Sequence, residues 1–250
     1  MVISICEDKK SLGMNAARKG ALCIAETIKK KGEANVAFVS GLSQIETLRN
    51  LVKEDIDWSC VNVFLLDEYV GIDRKEKTSS SLFIRENLIS KVPSLKSFHE
   101  INPDEKNMHA TVKELNAVMK DHPLDVSFIC IGENGHLAFN DPPADFDTKD
   151  AYIIVELEAR SRRQQVNEGW FKKVADVPKK AITMSINEIL SSEHLIISCP
   201  EQRKAKAVAM ALFDDITPLS PAAAVKRGKD THLFLDRQSS CLIFSDKRTI

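Results

Sequence analysis

No run of residues in this chain approaches the ~20 apolar positions a membrane-spanning helix needs, so no bilayer span is expected. The first residues, Met1-Val2-Ile3-Ser4-Ile5-Cys6-Glu7-Asp8, lack a basic region followed by a long apolar stretch, and no secretory signal is expected there. An excess of charge of one sign is also missing, because 35 basic and 36 acidic residues leave a net charge of -1. Nucleic-acid and membrane partners both favour a basic surplus, so neither is expected. The cysteines, Cys6, Cys23, Cys60, Cys130, Cys199 and Cys241, are scattered. They form no CxxC pair and no Cys/His cluster at metal-ligand spacing, so no metal site is expected. A reducing, cytoplasmic compartment is the simplest reading of that pattern. Cys130 and Cys199 fall in apolar, strand-like runs, where cysteine acts as a small buried hydrophobe. There is no GxxxxGK[ST] loop and no GxGxxG, so nucleotide binding has no positive support. A GxSxG elbow is missing as well. Internal repeats, low-complexity tracts and Gly/Ser linkers are absent. A chain of 250 residues, 43% apolar and 28% charged, is then read as one soluble domain over residues 1–250.

What is present is a recurring alternation. Short runs rich in Val, Ile and Phe occur at Val36–Val39, Val61–Leu66, Val126–Ile131, Ala181–Ile186 and His194–Cys199. Runs apolar on both sides predict buried parallel strands. Between them lie segments of helical period. Ala17, Ala21, Ile24 and Ile28 share one face, as do Ile45, Leu48 and Val52, and Met108, Val112, Leu115 and Met119. Strands alternating with amphipathic helices predict an α/β fold with right-handed crossovers and helices on both faces of a mostly parallel sheet. Pro142 and Pro143 forbid a continuing helix in the irregular stretch Asp141–Asp150. Residues Leu157 to Val177 lack a clear period and are dense in Arg, Gln and Lys, which reads as a mobile surface segment or lid.

In open α/β sheets ligands gather where strands end and loops begin, and four such junctions carry unusual chemistry. After Val39 comes Ser40-Gly41-Leu42-Ser43-Gln44. A tight polar turn feeding a helix presents free N–H groups and a positive dipole end to a phosphate. Alternatively Ser43 is only an N-cap and Gly41 only a turn residue. After Leu66 comes Asp67-Glu68-Tyr69-Val70-Gly71. A partly desolvated carboxylate there can serve as a general base, or it caps a nearby turn. The richest junction is Gly132-Glu133-Asn134-Gly135-His136-Leu137-Ala138-Phe139-Asn140-Asp141. Its glycines permit a sharp turn and close approach to a ligand. A histidine side chain in general ionises near neutral pH, and Asp141 is near enough in sequence to orient the His136 ring. The alternative is a structural histidine beside a glycine turn. After Cys199, Pro200 suits a helix start, and the cations of Glu201-Gln202-Arg203-Lys204 either reach an anion over the sheet edge or form a solvated face.

Taken together, these stretches resemble the glucosamine-6-phosphate deaminase/isomerase family, within the superfamily shared with 6-phosphogluconolactonase. The resemblance runs from about Ser40 to Pro221. It is strongest in Leu66-Asp67-Glu68-Tyr69-Val70-Gly71 and in Gly132–Asn140. It implies a three-layer α/β/α sandwich with a mostly parallel, Rossmann-like sheet. It implies that Asp67 is the base moving a proton between C2 and C1, and that His136 opens the pyranose ring with Asn134 and Asp141 in support. It implies a phosphate site made by Ser40, Gly41, Leu42, Ser43 and Gln44 with Lys204, and a lid arginine that is Arg162 or Arg163. Such chemistry requires neither a metal nor a redox cofactor. The chain departs from the family's usual Thr-Gly-Gly-Thr-Pro loop at Leu42 and Ser43-Gln44, and it carries Asp141 where the family commonly has Glu. The segment Ser161–Phe171 resembles a divergent, deaminase-like subgroup.

The leading expectation is therefore an enzyme converting glucosamine 6-phosphate to fructose 6-phosphate and ammonia. One alternative is a 6-phosphogluconolactonase, although Leu-Ala-Phe-Asn-Asp-Pro follows His136 where lactonases usually continue Thr-Ala-Ser-Leu-Phe-Pro. The other is a non-catalytic sugar-phosphate sensor. The expected partner in each case is a small hexose phosphate. Enzymes of this size are often symmetric oligomers, and a homo-oligomer is compatible with the sequence, but no interface signature is visible.

Overall fold

A computed structural model describes residues 1–102 and 104–244. The main sheet contains β1 (Val2–Cys6), β2 (Ala34–Phe38), β3 (Val61–Leu65), β5 (Ser97–His99), β6 (Val126–Ile129), β9 (His194–Cys199) and β10 (Asp230–Asp236). The strand order is β1-β10-β9-β6-β2-β3-β5, and every pairing is parallel. Every residue of β2, β3 and β6 is buried, as continuous apolar runs require when both sheet faces are covered. The flanking helices are α1 (Lys9–Lys31), α2 (Ile45–Leu51), α3 (Ser80–Asn87), α4 (Met108–Asp121), α5 (Ala159–Asn167), α6 (Ile186–Ser191) and α7 (Ala205–Phe213). Together they make the expected three-layer α/β/α arrangement.

The helices follow from local chemistry. Asp8 and Ser11 form a reciprocal capping box at the start of α1, and Gly32 ends it in the left-handed conformation, its N–H bonded to Ile28 O at 2.8 Å. The expected apolar stripe of α1 is buried at Ala17, Ala21 and Ile24. In α4 the buried positions are Leu115 and Met119, with Met108 and Val112 packed beside them. Among the described residues no helix is long and apolar enough to cross a membrane.

Two expectations need correction. The run Ala181–Ile186 is not a strand of the parallel sheet. Its residues lie mainly in β8 (Lys180–Met184), the centre of a separate antiparallel sheet between β4 (Asp67–Tyr69) and β7 (Tyr152–Glu156), and Ile186 already opens α6. An apolar run reports burial of both faces and says nothing about neighbour direction. Nor does Pro200 start a helix. The chain turns at Glu201 with φ +77, and helical turns begin only at Gln202.

The sheet order places the site. From β2 the chain moves outward to β3 and β5, then returns to β6 on the other side of β2 and continues to β9 and β10. The two directions diverge between β2 and β6. A crevice opens at such a switch point, beyond the carboxyl ends of the strands.

Candidate active site

A cleft of about 690 Å³, its solvent-open mouth included, sits at that switch point. Ser40, Gly41, Leu42 and Ser43 line it from the end of β2, Asp67 from the end of β3, Cys130 and His136 from beyond β6, and Lys204 from beyond β9. The loop after β2 depends on Gly41. Its backbone has φ +124 and ψ 164, which a side chain rarely adopts. The turn continues through a short 3-10 helix, Leu42–Gln44, into α2. Ser43 makes no capping bond there, so the simple N-cap reading does not describe it. Gln44 turns away from the cleft. Its Nε2 donates to Ile129 O at 2.8 Å and ties the loop to β6.

Asp67 and Glu68 open β4, where successive side chains point to opposite faces. Glu68 is fully buried and points to the amino end of α3. It accepts from the Ser79 hydroxyl at 2.7 Å and from the N–H groups of Ser81, Tyr69 and Ser80 at 2.9, 3.0 and 3.1 Å. Asp67 faces the cleft and is 3% exposed. Among the described residues its one side-chain hydrogen bond comes from Ser80 Oγ at 3.3 Å, and Ser80 Oγ lies 2.8 Å from Ser40 Oγ. Because Ser80 has a single hydroxyl proton, Ser40 donates to Ser80 and Ser80 to Asp67. Burial, reinforced by the neighbouring Glu68 charge, pushes the Asp67 carboxyl up to about 7, with the Ser80 bond opposing.

His136 is seated by the glycine turn. Gly135 has φ +84, and the turn is closed by Gly135 N–H to Gly132 O and Gly132 N–H to His136 O, both 2.9 Å. The His136 ring lies directly on Gly132. A methyl group there would come within 2.2 Å of ring atoms Cε1 and Nε2, so only glycine leaves room. His136 Nδ1 is 2.6 Å from Asn134 Oδ1 and 3.4 Å from Asp141 Oδ1. Both neighbours are acceptors, so Nδ1 carries the proton and Nε2 is left for the cleft. Asn134 Nδ2 in turn donates to Asp141 Oδ1 at 3.0 Å, and the Ser161 hydroxyl donates to the same oxygen. Burial alone would raise the Asp141 carboxyl. The bonds from His136, Ser161 and Asn134 outweigh it and hold Asp141 below its ordinary value.

Lys204 is 2% exposed and lines the cleft. It makes no salt bridge among the described residues. A buried cation without a bonded counter-ion is costly and suits an anion that arrives with the ligand. Glu168 also lines the cleft, and the Lys204 charge acts on it. Burial would raise the Glu168 carboxyl, but Lys204, Gln164 and Arg203 together hold it low. Arg203 pairs with Glu133 at 2.9 Å, Glu201 at 2.7 Å and Glu168, so it braces the glycine turn against α5 and the end of β9.

Residues 7–234 match the family described as glucosamine-6-phosphate isomerases/6-phosphogluconolactonase. The chain belongs to this family. A glucosamine-6-phosphate deaminase of Streptococcus pneumoniae serotype 4 is 31% identical over 228 residues, covering 90% of this chain and 96% of that protein. The solved structure of a monomeric glucosamine-6-phosphate deaminase superposes with a TM-score of 0.85 at 26% identity, covering 97% of this chain and 100% of that one. A 6-phosphogluconolactonase from Shewanella baltica has the same fold, with a TM-score of 0.77 at 19% identity over 94% of this chain and 97% of its own.

Measured against the isomerase/lactonase resemblance, the fold brings Ser40, Gly41, Leu42, Ser43, Asp67, His136 and Lys204 to one cleft. Asn134 and Asp141 stand behind His136 and do not line it. Gln44 is structural in its contacts. Neither Arg162 nor Arg163 lines the cleft. Arg163 faces an outer groove with Arg160, Arg203 and Lys206. From α5 it is Gln164 and Gln165 that line the cleft, joined by Glu168 and Trp170, whose Nε1 donates to Glu168 Oε2 at 3.2 Å. Sequence reasoning missed Ser80, the anchoring role of Glu68, Lys77 at the mouth and Glu168. Ser79-Ser80-Ser81 before an apolar run is a helix-start signature, and it would have located the amino end of α3 beside Glu68.

Proposed function

We propose that this protein converts glucosamine 6-phosphate to fructose 6-phosphate and ammonia. The observation that carries the reading is the convergence, in one cleft, of a buried Asp67 titrating near neutrality, a His136 with Nε2 free, and an unpaired Lys204 over a phosphate-type loop. The substrate phosphate takes the N–H groups and hydroxyls of Ser40–Ser43 with Lys204 as its cation. His136 Nε2 accepts the O1 proton and returns one to O5, breaking the C1–O5 bond and leaving the open-chain aldehyde. Asp67 removes the C2 proton as O1 takes one from solvent, giving an enolamine, and Asp67 then delivers its proton to C1, leaving a protonated imine at C2. Water adds to that imine, and ammonia departs as the 2-keto product forms. Asn134 with Asp141 keeps His136 in the required tautomer.

A coupled assay for ammonia and fructose 6-phosphate with purified protein tests the reading. Turnover is expected with the amino sugar, and 6-phosphogluconolactone should be consumed no faster than its spontaneous hydrolysis. Lactone turnover without ammonia release would transfer the assignment to the lactonase branch. Tight hexose-phosphate binding with no turnover of either compound would make the protein a sensor.

A further inference from the structure

A second cluster of chemically active side chains lies at the opposite rim of the main sheet, the amino ends of β9 and β10. His194 opens β9 and Asp230 opens β10, and the parallel register sets them directly side by side. His232 follows two positions after Asp230, which places it on the same sheet face. Helix α1 packs against these two strands and contributes Cys23, which is fully buried. One donor atom from each of Cys23, His194 and Asp230 lies within 4.8 Å of the other two. His194 Nδ1 is 2.8 Å from Asp230 Oδ2. His232 Nε2 is 2.9 Å from Asp230 Oδ1 but outside hydrogen-bond geometry, so among the described residues this buried nitrogen has no hydrogen-bond partner.

We propose that Cys23, His194 and Asp230 bind a divalent transition metal ion of the zinc type, with His232 holding the Asp230 carboxylate from behind. The donor set is the first argument. One thiolate, one imidazole and one carboxylate suit a borderline-soft cation and do not suit magnesium or calcium, which take oxygen ligands. Geometry is the second. Bonds of about 2.0–2.3 Å to a tetrahedral ion place its ligand atoms roughly 3.5 Å apart, so the His194–Asp230 pair has to open from 2.8 Å and the two have to draw toward Cys23 by up to about 1 Å. His194 and Asp230 keep the freedom for that movement, since their side chains are 25% and 39% exposed. The third argument is His232. A ring nitrogen stranded beside a carboxylate oxygen gains a proper hydrogen bond once Asp230 rotates toward an ion, and such outer partners orient metal-binding carboxylates. Lys19 Nζ now sits 3.9 Å from Asp230 Oδ2. Its half-exposed side chain has to swing into solvent as the ion enters, and the Cys23 thiol proton leaves with it, so binding releases one proton and strengthens with pH. The fourth coordination position is left for water.

The site is remote from the cleft described above. The two lie at opposite ends of strands of about six residues, roughly 20 Å apart at ~3.3 Å per residue. Its effect is to clamp α1 onto β9 and β10, so metal binding should stabilise the fold and leave turnover unchanged. Sequence spacing conceals it because the donors come from three elements far apart in the chain.

The test is titration of the metal-free, full-length protein with Co2+ alone, followed by absorbance. A single equivalent should bind with a near-ultraviolet thiolate-to-cobalt band and be displaced by Zn2+. Cys23→Ser should abolish the band, whereas the double change Cys60→Ser, Cys241→Ser should retain it. His194→Gln and Asp230→Asn should each raise the dissociation constant at least ~10-fold, and His232→Gln should raise it roughly 10- to 100-fold. The proposal is overturned by no thiolate band at equimolar cobalt, by a band that survives Cys23→Ser, or by one lost with Cys60 and Cys241. If Cys23→Ser does not fold, unchanged cobalt affinity in either of the more exposed variants, His194→Gln or Asp230→Asn, overturns it equally.

Discussion

Asp67→Asn should make the protein inactive and more stable, and the gain in stability should depend on pH. The carboxyl is 3% exposed, and burial together with Glu68 raises it from 3.8 to about 7. Its folded-state affinity for a proton therefore exceeds its unfolded one. Between about pH 4 and pH 7 the unfolded chain releases a proton that the folded chain keeps, so stability falls as pH rises through this window and the loss is complete above the folded value. The gap is about three pKa units at ~1.4 kcal/mol each, which amounts to about 4 kcal/mol at pH 8. At pH 5 only the first part of the window has been crossed, and the penalty is about 2 kcal/mol. An amide of the same shape never ionises and can still accept the Ser80 bond. Urea unfolding of both proteins at pH 8 and pH 5 measures the two differences, and a coupled ammonia assay measures turnover. Equal stability of wild type and variant at pH 8, or a gain of the same size at both pH values, would refute the reasoning, because it would mean that Asp67 is not a strained, ionised base.

Four further outcomes follow from the same contacts. Glu68→Gln removes the charge that helps to raise Asp67, so the acid limb of kcat/KM should move below its wild-type position near 7; the four donors around Glu68 lose a full partner set, and urea unfolding should show a loss of ~1–3 kcal/mol. Ser80→Ala deletes the bond that lowers Asp67, so the acid limb should move upward and KM should rise as Ser40 loses its partner, with Ser80→Thr restoring both. Gly132→Ala forces a methyl group into the His136 ring; kcat should fall, stability should drop by ~1–3 kcal/mol, and competitive inhibition by inorganic phosphate should be unaffected. Lys204→Met should raise KM by roughly 10- to 150-fold, the value of a charge-assisted hydrogen bond of ~1.5–3 kcal/mol, and should abolish that same inhibition.

Much of the architecture is legible in residue patterns because the relevant signal is local. The runs that became β2, β3, β6 and β9 are apolar at consecutive positions, and only a strand covered on both faces uses such a run fully. Helix α5 escaped the same reading for a physical reason. Its buried positions are Ser161 and Gln164, so the face it turns inward is polar and no apolar period exists to detect. The buried polar residues of α5 have partners of their own kind: Ser161 donates to Asp141, and Gln164 lines the cleft. The direction of β8 was equally hidden, because antiparallel pairing with β4 and β7 depends on residues distant in the chain. In the site, Asp67 and His136 stand out because each lies in a compact motif at a strand end. Ser80 and Glu168 belong to no such motif. They come to the cleft through the packing of α3 against β4 and the bracing of α5 by Arg203.

The pair Asp67-Glu68 shows how two adjacent carboxylates at one strand end come to have different surroundings. Alternation along β4 sends them to opposite faces, so sequence neighbours enter different environments. Glu68 meets four donors at the amino end of α3, where a negative charge is well accommodated. It anchors α3, and α3 carries Ser80. Among the described residues Asp67 meets one donor, and that donor is Ser80 itself. The same residue thus holds Asp67 and, through Ser40, the loop after β2. Glu68 also raises the proton affinity of Asp67 across a single peptide unit. One carboxylate is held by the fold, and the other is left under-bonded beside it, where burial and the neighbouring charge raise it to about 7. Exchanging the two residues, Asp67→Glu with Glu68→Asp, keeps the charge and composition but places the longer acid in the cleft and the shorter one out of reach of its donors. Turnover should collapse and α3 should loosen together. Hydrogen exchange at the α3 amides, measured alongside the ammonia assay, separates this coupled outcome from a purely catalytic defect in which α3 stays protected.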